Sequence, residues 1–382
     1  CARTTDLNKC CMQRSLTDSA KVFAAIAVIG IHATSTAEYS FLRDHRYFSL
    51  DFLGVIVNQW ARFSVPLFLY LSAYGLAKSE KSTGRGFLKD YGNFLLKRLP
   101  TILVPYLFFS AIALAMEFHS WQAGQGETAA PADFLARVLQ KLRTGAADYH
   151  LYFLVILAQC YVLFPVLMRI ARSSTSLYRI FVWLSLLLVS LLLYKGSSEM
   201  ILGKLGIAHP GWHASFAIYW LPYFMLGVLH ASRPPRRWNS IASFLTLLVA
   251  LVYVLLEYDY YSLQGTPVDY YNHFSRPSVM LYALSVIWLL HAMPENRLAE
   301  RTERIAAWAG LTFSVYLIHP QILRLVNNYL PHLPAVFGWI LVTVTTFSLV
   351  YALTTLTGKI QEKGPAVLAG PVRFLQRCLG LR

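Results

Sequence analysis

The chain reads as an all-α protein, a polytopic membrane bundle of about ten transmembrane helices with both termini in the cytoplasm. Three observations predict this. Of its 382 residues, 56% are hydrophobic and only 14% are charged, whereas a soluble domain carries about 25% charged residues. The apolar residues gather into ten long runs that cover nearly the whole chain and leave no soluble domain. The basic residues, finally, are shared unevenly between alternate connecting segments. Runs of this length suit helices, which satisfy their backbone hydrogen bonds internally while crossing a hydrocarbon core about 30 Å thick.

The expected spans follow in order. The first, 17–36, carries Lys21 and His32 in an apolar setting. The second, 52–77, contains Arg62 and Pro66. The third, 99–118, follows the basic pair Lys97-Arg98. The fourth, 150–171, opens on His150. The fifth, sixth and seventh cover 178–194, 215–231 and 239–260. The eighth, 276–293, opens on Arg276-Pro277. The ninth, 309–328, contains His319-Pro320, and the tenth covers 335–357. Residues 12–360 then form one ten-helix domain. The tail 361–382 is expected to form a short basic amphipathic helix on the inner membrane surface. Residues 1–11 are polar and read as a foreign or disordered leader, with Met12 as a natural start.

An even number of spans puts both termini on one side, and the positive-inside rule says which. With the N-terminus in the cytoplasm, 23 of the 34 Lys and Arg residues fall in cytoplasmic segments and 7 in outer loops. One span more or less would invert half of these loops, so the bias supports the count. It also explains the net charge of +15 without nucleic acid. The five cysteines show neither metal-ligand spacing nor a disulfide framework. The longest expected outer loops, 119–149 and 257–275, mix carboxylates with aromatic residues, among them Asp148, Tyr149, His150, Glu257, Tyr270 and Tyr271. Aromatic faces with carboxylates suit sugars. An ordinary interfacial aromatic belt has the same composition.

A charged side chain within a span costs at least about 2.5 kcal/mol, so such residues lead to function. Lys21 and His32 are eleven residues apart. At 100° per residue they project from one helix face within about 20°, roughly 16 Å apart along the axis. Arg62 falls near the membrane midplane, too deep to snorkel, and needs a cavity, an anion or a protein interior around it. Pro66, four residues on, cannot donate to the Arg62 carbonyl and is expected to kink the helix. Ser314, Tyr316 and His319 line up as a polar set inside the ninth span. Each has an ordinary reading as well: Lys21 and Arg276 as snorkelling anchors, the histidines and Tyr316 as packed polar residues.

Together these segments resemble the acyltransferase-3 family of bacterial membrane acyltransferases. Lys21 to His32 is similar to its first-helix motif, a basic residue, ten residues, then histidine. Arg62-Phe63-Ser64-Val65-Pro66 to Tyr74 resembles its second-helix motif. Lys97-Arg98-Leu99 with Val104-Pro105-Tyr106, then Tyr149 to Leu154, then Ser314 to Pro320, follow in family order. Two positions depart from the pattern. Lys21 replaces the commoner arginine, keeping the charge without the bidentate fork, and Ala73 stands where glycine is usual.

The resemblance implies a membrane O-acyltransferase of the bacterial inner membrane. It would move an acyl group, acetyl or another short one, from cytoplasmic acyl-CoA to a hydroxyl of a surface or lipid-linked carbohydrate. On that reading His32 and Arg62 are catalytic, and Lys21, Lys97 and Arg98 hold the CoA phosphates. Tyr149, His150, Arg276, Tyr316 and His319 receive the acceptor. Acyl-CoA, the carbohydrate and the bilayer are the expected partners, and no metal is expected. Histidine suits the general-base role because its pKa lies near 6.5. Whether His32 activates the hydroxyl or first takes the acyl group is open. A transporter or flippase of a glycan or lipid-linked sugar would use the same buried charges as a substrate path but needs no nucleophile-activating base at this spacing, and a scaffold subunit of a polysaccharide-synthesis complex would need neither.

Overall fold

The computed structural model describes residues 4–80, 87–125, 131–173, 175–194, 204, 215–232, 239–266, 272–293 and 303–381. Among them there is helix and no strand. Helix α1 (Thr4–Ala33) ends where Thr34 Oγ1 donates to the Gly30 carbonyl at 2.6 Å. The chain then turns into a separate polar helix, α2 (Ser35–Asp44). Ser49 caps α3 (Leu50–Trp60), its Oγ accepting from the Phe52 N–H at 3.0 Å. A 3₁₀ turn at Ala61–Phe63 separates α3 from α4 (Ser64–Ser79). The expected kink is therefore a break at Arg62 itself. Pro66 sits in the first turn of α4, where its missing N–H leaves nothing unpaired.

The order continues with α5 (Phe87–Arg98), α6 (Pro100–Gln125), α7 (Pro131–Thr144), α8 (Tyr152–Ala171) and α9 (Ser176–Leu193). Then come α10 (Leu221–Ser232), α11 (Ser240–Leu263), α12 (Pro277–Ala292), α13 (Thr312–Tyr329), α14 (Ala335–Lys363) and α15 (Ala366–Leu379). Asn239 caps α11, its Oδ1 accepting from Ile241 N–H at 2.9 Å and Ala242 N–H at 3.3 Å. The two long connections expected at 119–149 and 257–275 are shorter than they read. The first contains α7, and α11 continues to Leu263. Tyr270 and Tyr271 lie outside the described residues.

Among the described residues, seven stretches are long and apolar enough to cross a membrane: Ser15–Ala33, Leu50–Ser79, Lys89–His119, Tyr152–Ala171, Ser176–Leu193, Ser240–Leu263 and Ala335–Glu362. α10 and α12 are apolar but shorter. The chain is thus a helical membrane bundle. Its layering follows from burial. Ser15–Ala33 and Leu50–Ser79 are each 61% buried within the bundle, against 11% for α9, 17% for Ser240–Leu263 and 22% for Ala335–Glu362. Apolar helices with so little of themselves inside must face lipid. The centre is α1 and α4 with α8, α10 and α13, where Leu69, Tyr70, Ile156, Tyr223, Phe224, Val315 and Leu317 are at most 1% exposed.

The closest crossing in this centre is α10 on α4, and one glycine sets it. A Cβ on Gly227 would collide with the Tyr70 carbonyl oxygen and lie 2.9 Å from Ala73 Cβ. Small residues on both helices let the backbones touch, the usual device for helix association in lipid. Ala73, the departure from the family pattern, fills its share of this contact with a single methyl group.

Candidate active site

Three segments bring histidines together. His32 comes from the last turn of α1, His150 from the turn before α8, and His319 from the middle of α13. The His32 and His319 rings stack with centroids 5.4 Å apart. His319 and His150 lie 5.7 Å apart. Tyr149 packs on His32 at 4.6 Å, and Tyr316 lies against His150 at 5.5 Å. His150 and His319 are 1% and 0% exposed, while His32 is only half-buried. Among the three histidines His32 is therefore the one open to an incoming molecule, beside the exposed ring of Tyr149.

The sequence His319-Pro320 fixes the chemistry of one ring. Pro320 lies inside α13 and has no N–H to give to the Tyr316 carbonyl four residues earlier. That carbonyl is instead engaged by His319 Nδ1 at 2.7 Å. A carbonyl only accepts, so Nδ1 carries the proton, and in the neutral ring Nε2 is left as a lone pair. Nε2 is buried and has no hydrogen-bond partner among the described residues. It faces the cluster as an acceptor.

The Asp148–His150 turn is held in place from both sides. Gly145, at φ 77°, closes α7 in the left-handed region. A Cβ there would collide with the Tyr152 backbone, so glycine meets both requirements of this turn. Arg324 of α13 donates from Nη2 to Asp148 Oδ1 at 2.6 Å, and the Tyr149 N–H donates to the same oxygen at 2.9 Å. Tyr316 Oη donates to the His150 carbonyl. Burial pushes the Asp148 carboxyl up, but His150 and the Arg324 guanidinium outweigh it and hold the pKa at about 2. This ion pair ties α13 to the turn that supplies Tyr149 and His150.

Arg62 is 4% exposed and lies in the 3₁₀ break. Its Nη2 donates to Asn58 Oδ1 at 2.7 Å and its Nη1 to the Asn272 carbonyl at 2.6 Å. The guanidinium lies 5.7 Å from the centre of the Phe274 ring. Asn58 Nδ2 in turn donates to the Ile31 carbonyl at 2.9 Å, one residue before His32. Asn58 therefore connects the guanidinium to the helix end that carries the histidine, and the positive charge acts on His32 through space. Glu38 of α2, 3% exposed, accepts from Asn272 Nδ2 at 2.9 Å on each oxygen. Arg276 lies elsewhere in this network. It is fully buried, pairs with Glu257 at 3.1 Å, and donates to Gln59 Oε1 and the Val254 carbonyl, each at 3.2 Å.

A cavity of about 560 Å³ leads toward this cluster from the other end of α1. Lys21, Asp18, Ser79 and Arg98 line one end and Phe153 and Tyr316 the other. Lys21 Nζ pairs with Asp18 at 2.7 Å, and Arg98 Nη2 donates to Ser79 Oγ at 3.1 Å. Tyr316 thus belongs both to the cavity wall and to the histidine cluster. Lys97 lines a second cavity of about 470 Å³ with Arg377 and Gln376 of α15. Thr101 and Phe313 border both cavities.

Of the residues singled out from sequence, His32, Tyr149, His150, Tyr316 and His319 meet in one cluster. Arg62 lies within electrostatic reach, Lys21 and Arg98 share the cavity, Arg276 joins the network through Gln59, and Lys97 lies apart. Asn58, Asn272, Glu38 and Arg324 complete the arrangement. Asn58 and Gln59 had a legible signal, two amides one turn before Arg62 in an apolar run. Glu38 had none, because the helix that carries it follows the first span.

A multi-helix membrane bundle with a cavity that carries Lys21 and Arg98 and reaches Tyr316, beside the histidine cluster, defines a class, polytopic membrane proteins with a polar site enclosed in the bundle. The family is then given by comparison. The family model described as Acyltransferase domain, the acyltransferase-3 model, matches residues 17–355, and the chain belongs to that family of membrane acyltransferases. No curated protein and no solved structure matches the chain.

Proposed function

We propose that the protein moves a short acyl group, acetyl in the first instance, from cytoplasmic acyl-CoA to a carbohydrate hydroxyl at the outer face of a bacterial inner membrane. The observation that carries this reading is the cavity joining Lys21 and Arg98 to Tyr316 beside the histidine cluster. Its cations suit the phosphates of CoA, and its volume of about 560 Å³ leaves room for part of a flexible arm ending in a thioester. The excess of basic residues at the Lys21 end supports a cytoplasmic entrance.

In this reading His32 takes the proton of the acceptor hydroxyl as its oxygen attacks the thioester carbonyl carbon. The Arg62 charge favours the oxyanion that forms. The C–S bond then breaks, and the CoA thiolate recovers the proton from His32, leaving ester and free CoA. Tyr149, the exposed member of the cluster, offers a face for the sugar C–H groups, and His319 Nε2, buried beside the His32 ring, accepts from a second hydroxyl once the acceptor parts the two rings. The other order of events has His32 take the acyl group first, which gives ping-pong kinetics.

Purified protein with radiolabelled acetyl-CoA and surface-glycan acceptors tests the proposal. His32→Ala is expected to abolish transfer while leaving donor binding intact, and full activity in that variant would sink the mechanism. Lys21→Ala is expected to weaken donor binding. A transporter of the same glycan would instead move labelled sugar across a vesicle membrane without forming an ester.

A further inference from the structure

A second cluster of donor atoms lies across α4 from the donor cavity. Leu71, Ser72 and Gly75 of α4 line that cavity, whereas Tyr70 and Tyr74 face the opposite way, into a void of about 30 Å³. Tyr70 Oη lies 3.0 Å from His230 Nδ1 and in shorter contact with His291 Nε2, which lines the void with it. The two ring nitrogens are 3.3 Å apart, on rings nearly perpendicular at 89°. His230 comes from the last turn of α10, one turn beyond the Gly227 contact. His291 comes from the last turn of α12.

We propose that Tyr70, His230 and His291 form a binding site for one divalent transition-metal ion, zinc or copper. Hydrogen bonding alone would need only two contacts, the hydroxyl donating to one ring nitrogen and accepting from the other. It gives no reason for the two nitrogens to approach each other as well. Convergence of all three on one point is coordination geometry. Two ligands at about 2.0–2.1 Å from a tetrahedral ion stand about 3.3 Å apart, the spacing of the two nitrogens. The Tyr70–His291 contact is tighter than that and opens on metal entry.

Imidazole nitrogens and a phenolate oxygen select zinc or copper over magnesium or calcium. The void is large enough for one water as a fourth ligand, and Met293 on its wall adds a soft thioether. Both histidines are partly exposed, which leaves an entry path. Binding converts Tyr70 to the phenolate and releases one proton to solvent, which lowers the charge placed in the bundle. The site touches neither the histidine cluster nor the donor cavity, so it stands apart from the acyl-transfer reading.

The test uses full-length protein purified without a polyhistidine tag, stripped with chelator and returned to detergent buffer. Zn²⁺ titrated against a chromophoric chelator is expected to bind at one equivalent and to raise the thermal midpoint. Cu²⁺ is expected to produce a phenolate-to-copper absorption band that Tyr70→Phe removes. His230→Gln and His291→Gln are each expected to weaken uptake by more than about a hundredfold. Wild-type protein that takes up neither ion stoichiometrically overturns the proposal, however the variants fold. Uptake that survives the double replacement in a protein of unchanged size-exclusion profile overturns it equally.

Discussion

Asn58 bonds both Arg62 and the residue before His32, and removing it tests whether the arginine acts by position. In Asn58→Ala, Arg62 Nη2 loses an acceptor at 2.7 Å and the Ile31 carbonyl loses a donor at 2.9 Å. The first bond involves a charge and contributes about 1.5–3 kcal/mol; the second is neutral and contributes about 1 kcal/mol. The guanidinium keeps its bond to the Asn272 carbonyl, so it swings rather than leaves. A displacement of about 1 Å in such a group costs about a hundredfold in rate. Stopped acyl-transfer assays should therefore show kcat falling by one to two orders of magnitude, with KM for acyl-CoA nearly unchanged. Asn58→Asp separates charge from position. It keeps an acceptor for Arg62 but sets a carboxylate against the guanidinium, and kcat should fall although the arginine stays in place. A folded Asn58→Ala protein with wild-type kcat would refute the link between Arg62 and His32.

Three further outcomes follow from the same geometry. Arg98→Ala should raise KM for acyl-CoA about tenfold, the loss of one charge-assisted contact. Lys97→Ala should change it less, because that side chain lines the second cavity, and equal effects would join the two cavities into one donor site. Glu257→Ala leaves Arg276 buried without its carboxylate and should cost about 3 kcal/mol, read as a lower thermal midpoint. The paired replacement Glu257→Leu with Arg276→Met should cost less, and a larger loss would contradict the buried-charge argument. Gly227→Ala should cost about 1–3 kcal/mol by forcing α10 off α4, and an unchanged midpoint would show that the crossing relaxes freely.

The bundle and most of the cluster were legible in sequence because the bilayer makes polar residues conspicuous. A histidine or arginine in an apolar run must have a partner, and Lys21, His32, Arg62 and His319 stand out for that reason. Residues outside the apolar runs lose that contrast. Arg276 reads as an acceptor-binding residue at a span end, yet its guanidinium is taken up by Glu257, a pairing across α11 and α12 that no local pattern records. Lys97 and Arg98 are neighbours in sequence, but consecutive residues on a helix point about 100° apart, so they enter different cavities. The 3₁₀ break at Ala61–Phe63 falls at Arg62 rather than at Pro66, because proline is harmless in the first turn of a new helix.

That break and the one at His319-Pro320 serve a common end by different means. At Ala61–Phe63 the regular helix stops, and the turn leaves Arg62 reaching sideways to Asn58 and to the Asn272 carbonyl. At Pro320 the helix continues but one rung is missing, and the freed Tyr316 carbonyl captures the His319 proton on Nδ1. In lipid an unpaired carbonyl costs several kcal/mol, so that capture is strongly favoured, and it decides which ring nitrogen can serve as acceptor. Two defects in helix geometry thus convert generic residue types into an oriented cation and an oriented lone pair beside His32. The chemistry of the site depends on where the regular helices fail, and prolines and amides within apolar spans are the sequence signs of such failures.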